Sequence, residues 1–416
     1  MSPSSDATPL PQQEAFERAR QSFLGGLEQL AQGRLQEAEQ SFLASLALLP
    51  GRVSTLVNLA AVRVRLGRPA DALEAADQVL KLEPNDPDAW LHRAEALAQM
   101  ARHEEALESF RQAGESGRKA LPWYRHGQVL QDLQRDEEAL QSYERAVAID
   151  PAFAPAWTNQ GNILRERSRI AEAQQAFRQA IAHGGQDALH AYYLASVSPD
   201  GAQAAPMAPS QYIEGLFDTY AEGFDHHVVD VLGYRAPEVL ASRIGALAPG
   251  RRFRHALDLG CGTGLCGLQL KAWSERLTGV DLSSQMLAKA QATGCYQALV
   301  HQEVAEFLHA TDTRHDLVVA ADVFIYVGDL ARVFTGLRRV LDDGGLFSFS
   351  VEALPDDAAA GFALRSTLRY AHSQRYVRAL AADNGFEVVE VLGAPLRQDQ
   401  RQPIDGLFFV LRKGAA

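Results

Sequence analysis

"HALDLGCGTGLCGLQL", residues 255–270, starts as an apolar strand and continues as a helix, but Gly260, Gly262, Thr263 and Gly264 interrupt it between the two. Core packing gives no reason for the break, and each glycine costs conformational entropy on folding. The pattern implies a main chain that passes close to a ligand and offers its N–H groups at a helix entrance.

The surroundings give the turn its setting. "HALDLG", "RLTGVDLS", "QALVHQ", "HDLVVAADVF", "GGLFSFSVE", "FEVVEV" and "GLFFVLRK" read as strands, with helical stretches such as "SQMLAKAQAT" and "LARVFTGLRRVL" between several of them. Such alternation predicts a mostly parallel sheet covered on both faces, with ligands at the carboxyl ends of the strands. Asp281 ends the second strand, where a carboxylate can accept hydrogen bonds from both hydroxyls of a ribose. Glycine turn plus acid leaves two ligands open, a dinucleotide or S-adenosylmethionine. The turn fits the G-x-G-x-x-G/A dinucleotide pattern poorly, and no Gly-Lys-Ser/Thr follows it.

"LDLGCGTG…GVDLSSQMLAKA" resembles motifs I and II of the class I S-adenosylmethionine-dependent methyltransferases. "ALVHQEVAEFL" and "HDLVVAADVFIYVGDLARVF" resemble that family's third and fourth strand segments. The resemblance covers about residues 211–416. It implies a Rossmann-like α/β domain with a seven-stranded sheet closed by an antiparallel hairpin, and S-adenosylmethionine as cofactor. By position, Gly260, Cys261, Gly262 and Gly264 would cradle the methionine part of the cofactor. Asp258 would order the turn or meet the amino group through water, and Asp281 would hold the ribose. Leu282 and Met286 would pack on the adenine, and Glu303 stands where the family carries an acid, usually aspartate, at the adenine amino group. Asp322 would lie at the mouth near the reacting methyl.

The stretch "YIEGLFDTYAEGFDHHV" reads as an amphipathic helix; the resemblance implies that it folds over the cofactor, with Phe217, Tyr220 and Phe224 as the cover and Tyr220 as a donor to the carboxylate end. His226 and His227 lack further ligands at metal spacing, so no metal is expected. "LRYAHSQRYV" offers Tyr370 and His372 as acceptor-side groups, since a histidine can deprotonate a hydroxyl or amine near neutral pH. The alternative is that this stretch opens a helix capped by Ser373, with His372 exposed. Arg397 adds a positive contact for a carboxylate.

The N-terminal half repeats. Ala38, Ala72, Ala106, Ala139 and Ala173 recur at intervals of 33 or 34 residues, as do Gly26, Ala60, Ala94, Gly127 and Gly161. A bulkier series, Phe42, Phe110, Tyr143 and Phe177, keeps the register, with Ala76 the exception. Pro50, Pro84 and Pro151 close three units, whereas the third unit has Arg118 near that place. Each unit reads as two amphipathic helices that cannot bury their apolar faces alone, so neighbours must stack. These residues resemble the tetratricopeptide repeat (TPR), in about five copies over residues 19–187. The resemblance implies an all-α solenoid that binds a protein or peptide on its concave face. The whole chain then reads as multidomain, with residues 1–18 disordered and residues 188–210 forming a capping helix and linker ahead of the methyltransferase domain.

Composition narrows the partners. The formal net charge of −12 opposes binding to nucleic acid or anionic membranes. Cys261, Cys266 and Cys295 form no disulfide framework or metal pair. Without a signal-like N-terminus or an apolar span, the expected setting is the cytoplasm. An active methyltransferase whose repeats recruit a protein is the favoured reading. The alternatives are an interaction scaffold with a cofactor-sensing or inactive domain, and a small-molecule enzyme that uses the repeats for assembly.

Overall fold

The computed structural model describes residues 12–184, 187–198, 205–357, 361–399 and 402–415. It divides into two compact units, one of residues 1–167 with 175–185, the other of residues 168–174 with 186–416.

The first unit is made of helix pairs: α1 (Gln12–Ala31) with α2 (Leu35–Leu48), α3 (Val53–Arg65) with α4 (Pro69–Leu82), α5 (Pro87–Gln99) with α6 (His103–Gly117), α7 (Ala120–Asp132) with α8 (Asp136–Ile149), and α9 (Ala154–Glu166) with α10 (Ile170–Gly184). Helix α1 starts inside the segment expected to be disordered; residues 1–11 lie outside the described residues. The small and bulky series meet across each pair. A Cβ on Gly26 would stand 2.6 Å from the Phe42 ring, on Gly127 2.5 Å from Tyr143, and on Gly161 2.6 Å from Phe177. Where the bulky series holds Ala76, Ala60 fills the opposite place and both are buried. The Trp90 and Trp157 indoles donate to the carbonyls of Pro84 and Pro151 at 2.8 and 2.9 Å. In the third unit Arg118 ends α6 in the left-handed conformation, which does the work of the missing proline.

A further regularity escaped the sequence reading. The turn inside each pair places one residue at positive φ: Gly33, Gly67, Ala101, Gln134 and Ser168. Three of these are not glycine, so no composition signal marked them.

The longer part of the second unit begins with α11 (Ala188–Ser196), the helix expected to cap the solenoid. Within this unit its Tyr192 is fully buried against Tyr370, and the Tyr192 hydroxyl donates to the Leu368 carbonyl at 2.6 Å. Then come α12 (Ser210–Tyr220), α13 (Ala236–Leu247), β1 (Ala256–Leu259), α14 (Leu265–Leu270), β2 (Leu277–Asp281), α15 (Ser284–Ala292), β3 (Ala298–His301), α16 (Val304–Ala310), β4 (His315–Ala320), α17 (Ala331–Val340), β5 (Leu341–Leu354), β6 (Phe362–Leu364), β7 (Tyr370–Ser373), α18 (Gln374–Asp383), β8 (Phe386–Asp399) and β9 (Gln402–Lys413).

The strands form one mixed, mostly parallel sheet. Its order runs β3-β2-β1-β4-β5, and β9 lies antiparallel to β5 with β8 outside it. That accounts for the seven expected strands. Two more, β6 and β7, form a small hairpin, with β7 joined to the last residues of β5. β7 comes from the stretch read as opening a helix; Ser373 does cap α18, accepting the Tyr376 N–H at 3.2 Å. Alternate strand residues feed two cores. Leu257, Val318, Phe347 and Phe409 face one helical layer, and Ala256, Leu317, Leu346 and Phe408 face the other.

Candidate active site

Chain order along the sheet reverses between β1 and β4, the place where open α/β sheets hold ligands. The glycine turn leaves β1 at this point. Gly260, Gly262 and Gly264 all have positive φ, at 62°, 53° and 98°. Gly260 packs on Val323, which follows β4. A Cβ on Gly262 would meet nothing within 4 Å, so this glycine is open on its outer side. A cavity lies over the turn, and Gly260, Cys261, Gly262 and Thr263 line it.

Asp281 ties the turn to the next strand. One carboxylate oxygen accepts the Gly262 N–H at 2.8 Å, and the other accepts the Ser283 N–H at 2.9 Å. Burial raises its pKa, against those hydrogen bonds. Asp281, Leu282 and Met286 all line the cavity. Glu303 lines it too, but its carboxylate caps α16 by accepting the N–H groups of Ala305 and Glu306, both at 2.8 Å. Its neighbour Gln302, which the sequence reading passed over, also lines the cavity.

Three expected cofactor groups lie elsewhere. Asp258 sits beneath the turn, nearly sealed, and the Tyr296 hydroxyl donates to it at 2.6 Å. Burial pushes its pKa up to about 7, with Tyr296 opposing and Asp281 adding to the rise. Asp258 does not line the cavity, and neither does Gly264, which begins α14 and faces Thr293 and Tyr296. Tyr220 is half-exposed and outside the cavity lining; its ring neighbour is His227. His226 pairs with Asp230 at the surface.

The segment expected as one covering helix is α-helical only to Tyr220 and continues as a 3-10 turn, Ala221–Gly223, and a π-helical turn, His226–Val231. Phe217 and Phe224 line the cavity, their rings 6.0 Å apart, and Phe217 meets Tyr326 at 5.6 Å. Two hydrogen bonds fasten the segment to the turn and its neighbour: Thr263 donates to Asp225 at 2.5 Å, and Ser283 donates to Asp218 at 2.7 Å. Ser283 meanwhile caps α15.

On the acceptor side the structure corrects the expectation. Tyr370 is buried in β7 and donates to the Ala205 carbonyl. His372 is fully buried, bonded to the Gly328 carbonyl at 2.9 Å, and burial pushes its pKa down to about 4. Neither lines the cavity, and a polar side chain sealed among main-chain acceptors has no route to a substrate. Asp322 lines the cavity just past β4 with φ at 58°, a conformation that is strained for a non-glycine. Its N–H donates to the Ser350 hydroxyl at 2.9 Å.

Arg397 joins it from β8. The Arg397 guanidinium donates to Asp322 at 2.7 Å and also to Glu352, and only 4 % of the Arg397 side chain is exposed. Burial works against its charge, but Asp322 and Glu352 more than restore it, so its pKa lies above the usual value. Arg365 reaches Glu352 from the other side at 3.3 Å. Arg369, Tyr234 and Tyr326 complete this end of the cavity. Their convergence depends on tertiary structure alone, and no local pattern announces it.

The chain was compared with known proteins. A family described as methyltransferase domain matches residues 257–349, and families described as tetratricopeptide repeat match residues 57–120, 121–153 and 142–175. A malonyl-[acyl-carrier protein] O-methyltransferase of Geobacter sulfurreducens is 35% identical over 159 residues, 35% of this chain and 60% of that protein. One of Enterobacter lignolyticus is 26% identical over 181 residues, 44% of this chain and 69% of that protein. The chain thus spans about two thirds or less of these relatives. Among solved structures, the N-methyltransferase NodS of Bradyrhizobium japonicum, in complex with S-adenosyl-L-homocysteine, is 18% identical with a TM-score of 0.40, over 49% of this chain and 98% of that one.

Proposed function

We propose, from a chain that joins tetratricopeptide repeats to a methyltransferase domain, that it moves a methyl group from S-adenosylmethionine to an acceptor carried on a protein or peptide. The observation that carries this reading is the carboxylate of Asp281, which joins the Gly262 and Ser283 amides on the wall of a cavity above a glycine turn. The residues present suit the cofactor. Gly260, Cys261 and Gly262 leave main chain bare beside its methionine part. Asp281 keeps acceptor capacity for ribose hydroxyls. Leu282 and Met286 supply an apolar wall for the adenine, with Gln302 and Glu303 at its polar edge. The bound cofactor supplies a methyl group already activated on a sulfonium, so the protein's task is to position the acceptor and exclude water. Phe217 and Phe224 serve the second purpose.

The repeats are read as the recruiting module. The relatives named for malonyl-[acyl-carrier protein] act on a group carried by a protein, which is in keeping with a protein-borne acceptor here. No helix among the described residues is long and apolar enough to cross a membrane.

Radiolabelled methyl transfer into fractionated lysate, run beside the Asp281→Ala variant, tests the proposal. Label in protein, lost in the variant, is expected. Label confined to small molecules would replace recruitment with a metabolite enzyme. No label at all would leave a scaffold.

A further inference from the structure

At the acceptor end of the cavity one carboxylate oxygen is left over. Asp322 gives its Oδ2 to Arg397, while its Oδ1 is buried with no partner among the described residues. The arrangement is rigid. Strained backbone at Asp322, the Ser350 hydroxyl behind its N–H, and an arginine clamped from the far side by Glu352 all fix the direction of that oxygen. A buried acceptor without a donor is costly, and a ligand N–H facing it removes that cost.

We propose that Asp322 Oδ1 receives the N–H of the methyl acceptor, and that the acceptor is an amine. This rests on the methyltransferase reading above. Three observations favour an amine over the carboxylate expected for Arg397. First, both terminal nitrogens of Arg397 already donate to carboxylates, Asp322 and Glu352, whose charges offset its own, and only its buried Nε has no partner among the described residues. Second, the walls near Asp322 are aromatic apart from Arg369, with Phe217 beside Tyr326 and Tyr234 lining the same cavity. Aromatic faces beside a carboxylate favour a cation. Third, His372, the one histidine expected to deprotonate an alcohol, is sealed in β7. The amine binds as an ammonium and first gives one proton to water; its freed lone pair then forms the N–C bond as the S–C bond of the sulfonium donor breaks, and sulfur keeps that electron pair. Nitrogen becomes a cation, held by Asp322, and later gives its proton to water. Arg397 and Glu352 act as positioning residues.

The test begins with S-adenosylhomocysteine and the full chain. Calorimetry should show binding to the wild type; no binding would sink the methyltransferase reading itself, and with it this proposal. With that compound bound, n-butylamine and sodium butyrate are compared at equal ionic strength by thermal unfolding. The amine should raise Tm by about 2 °C in the wild type and not in Asp322→Asn, and butyrate should do neither. An amine effect no larger than butyrate's, or one that survives Asp322→Asn, overturns the proposal. In labelled lysate, the product should resist mild base; label released as methanol marks a methyl ester and overturns it too.

Discussion

Gly260 and Val323 approach so closely that a Cβ on the glycine would stand 2.5 Å from a valine methyl carbon. Gly262, two residues on, has open space on the same test. Both have positive φ, so alanine at either carries the left-handed penalty of roughly 1–2 kcal/mol. Only Gly260→Ala adds overpacking, typically about 1–3 kcal/mol. Chemical denaturation should therefore find Gly260→Ala less stable than Gly262→Ala, and Val323→Ala should recover part of the difference. Gly262→Ala should still weaken S-adenosylhomocysteine binding, because its methyl group enters the cavity.

The covering segment is fastened by Asp225 to Thr263 and by Asp218 to Ser283. Hydrogen bonds to a charged group contribute about 1.5–3 kcal/mol where well shielded. Asp225→Ala should loosen the cover and speed S-adenosylhomocysteine release about tenfold in stopped-flow displacement. Unfolding midpoints should change little, since the core does not depend on this contact.

Ala101 and Gln134 hold left-handed backbone in the turns where other pairs use Gly33 and Gly67. Ala101→Gly should be neutral to stabilising, by up to about 1 kcal/mol, and Gly33→Ala should cost a similar amount. Thermal unfolding of the two variants checks the opposite signs.

Acid should destabilise the protein through buried histidines. Burial holds His126, His315 and His372 neutral, with pKa values down at about 4. The unfolded chain binds protons at these groups below about pH 6.5, and the native state does not until about pH 4. Stability therefore falls as pH drops through that window. His372→Asn should flatten the slope of Tm against pH.

Asp258 works in the opposite sense. Its pKa is raised to about 7, so between about pH 4 and 7 the native state holds a proton that the unfolded state has lost. Its contribution thus declines as pH rises through that range. Asp258→Asn keeps an acceptor for the Tyr296 hydroxyl and removes the buried charge. The variant should gain on the wild type in Tm between pH 5 and pH 8.

The legible parts of this chain are those written in the backbone. Gly260, Gly262 and Asp281 stand where their spacing put them, because a turn at a strand end is a local property. The repeat was readable for a similar reason: Gly26 against Phe42 and Gly127 against Tyr143 recur as pairs, so each confirms the other. Side-chain direction was harder. Tyr370 and His372 carry reactive groups, yet a strand turned them toward the carbonyls of Ala205 and Gly328. Tyr220 lay one helical turn from Phe217 without sharing its face toward the cavity. Arg397 comes from β8 and meets Asp322, 75 residues earlier, through a sheet neighbour that only the folded chain creates. The β6–β7 hairpin stayed hidden because its strands have three and four residues, too short to show a period.

Pairing of β5 with β4 ends at Phe349 and pairing with β7 starts at Glu352, which is in register with Ala371 of β7 and with Gly406 of β9. The sheet therefore forks there, and the small hairpin hangs from the strand's tip as a side branch. Grafting a longer or shorter branch would leave the donor half of the domain untouched while reshaping the wall that carries Arg369. Descendants of one scaffold could diversify their acceptors by this route without reinventing how they bind the methyl source.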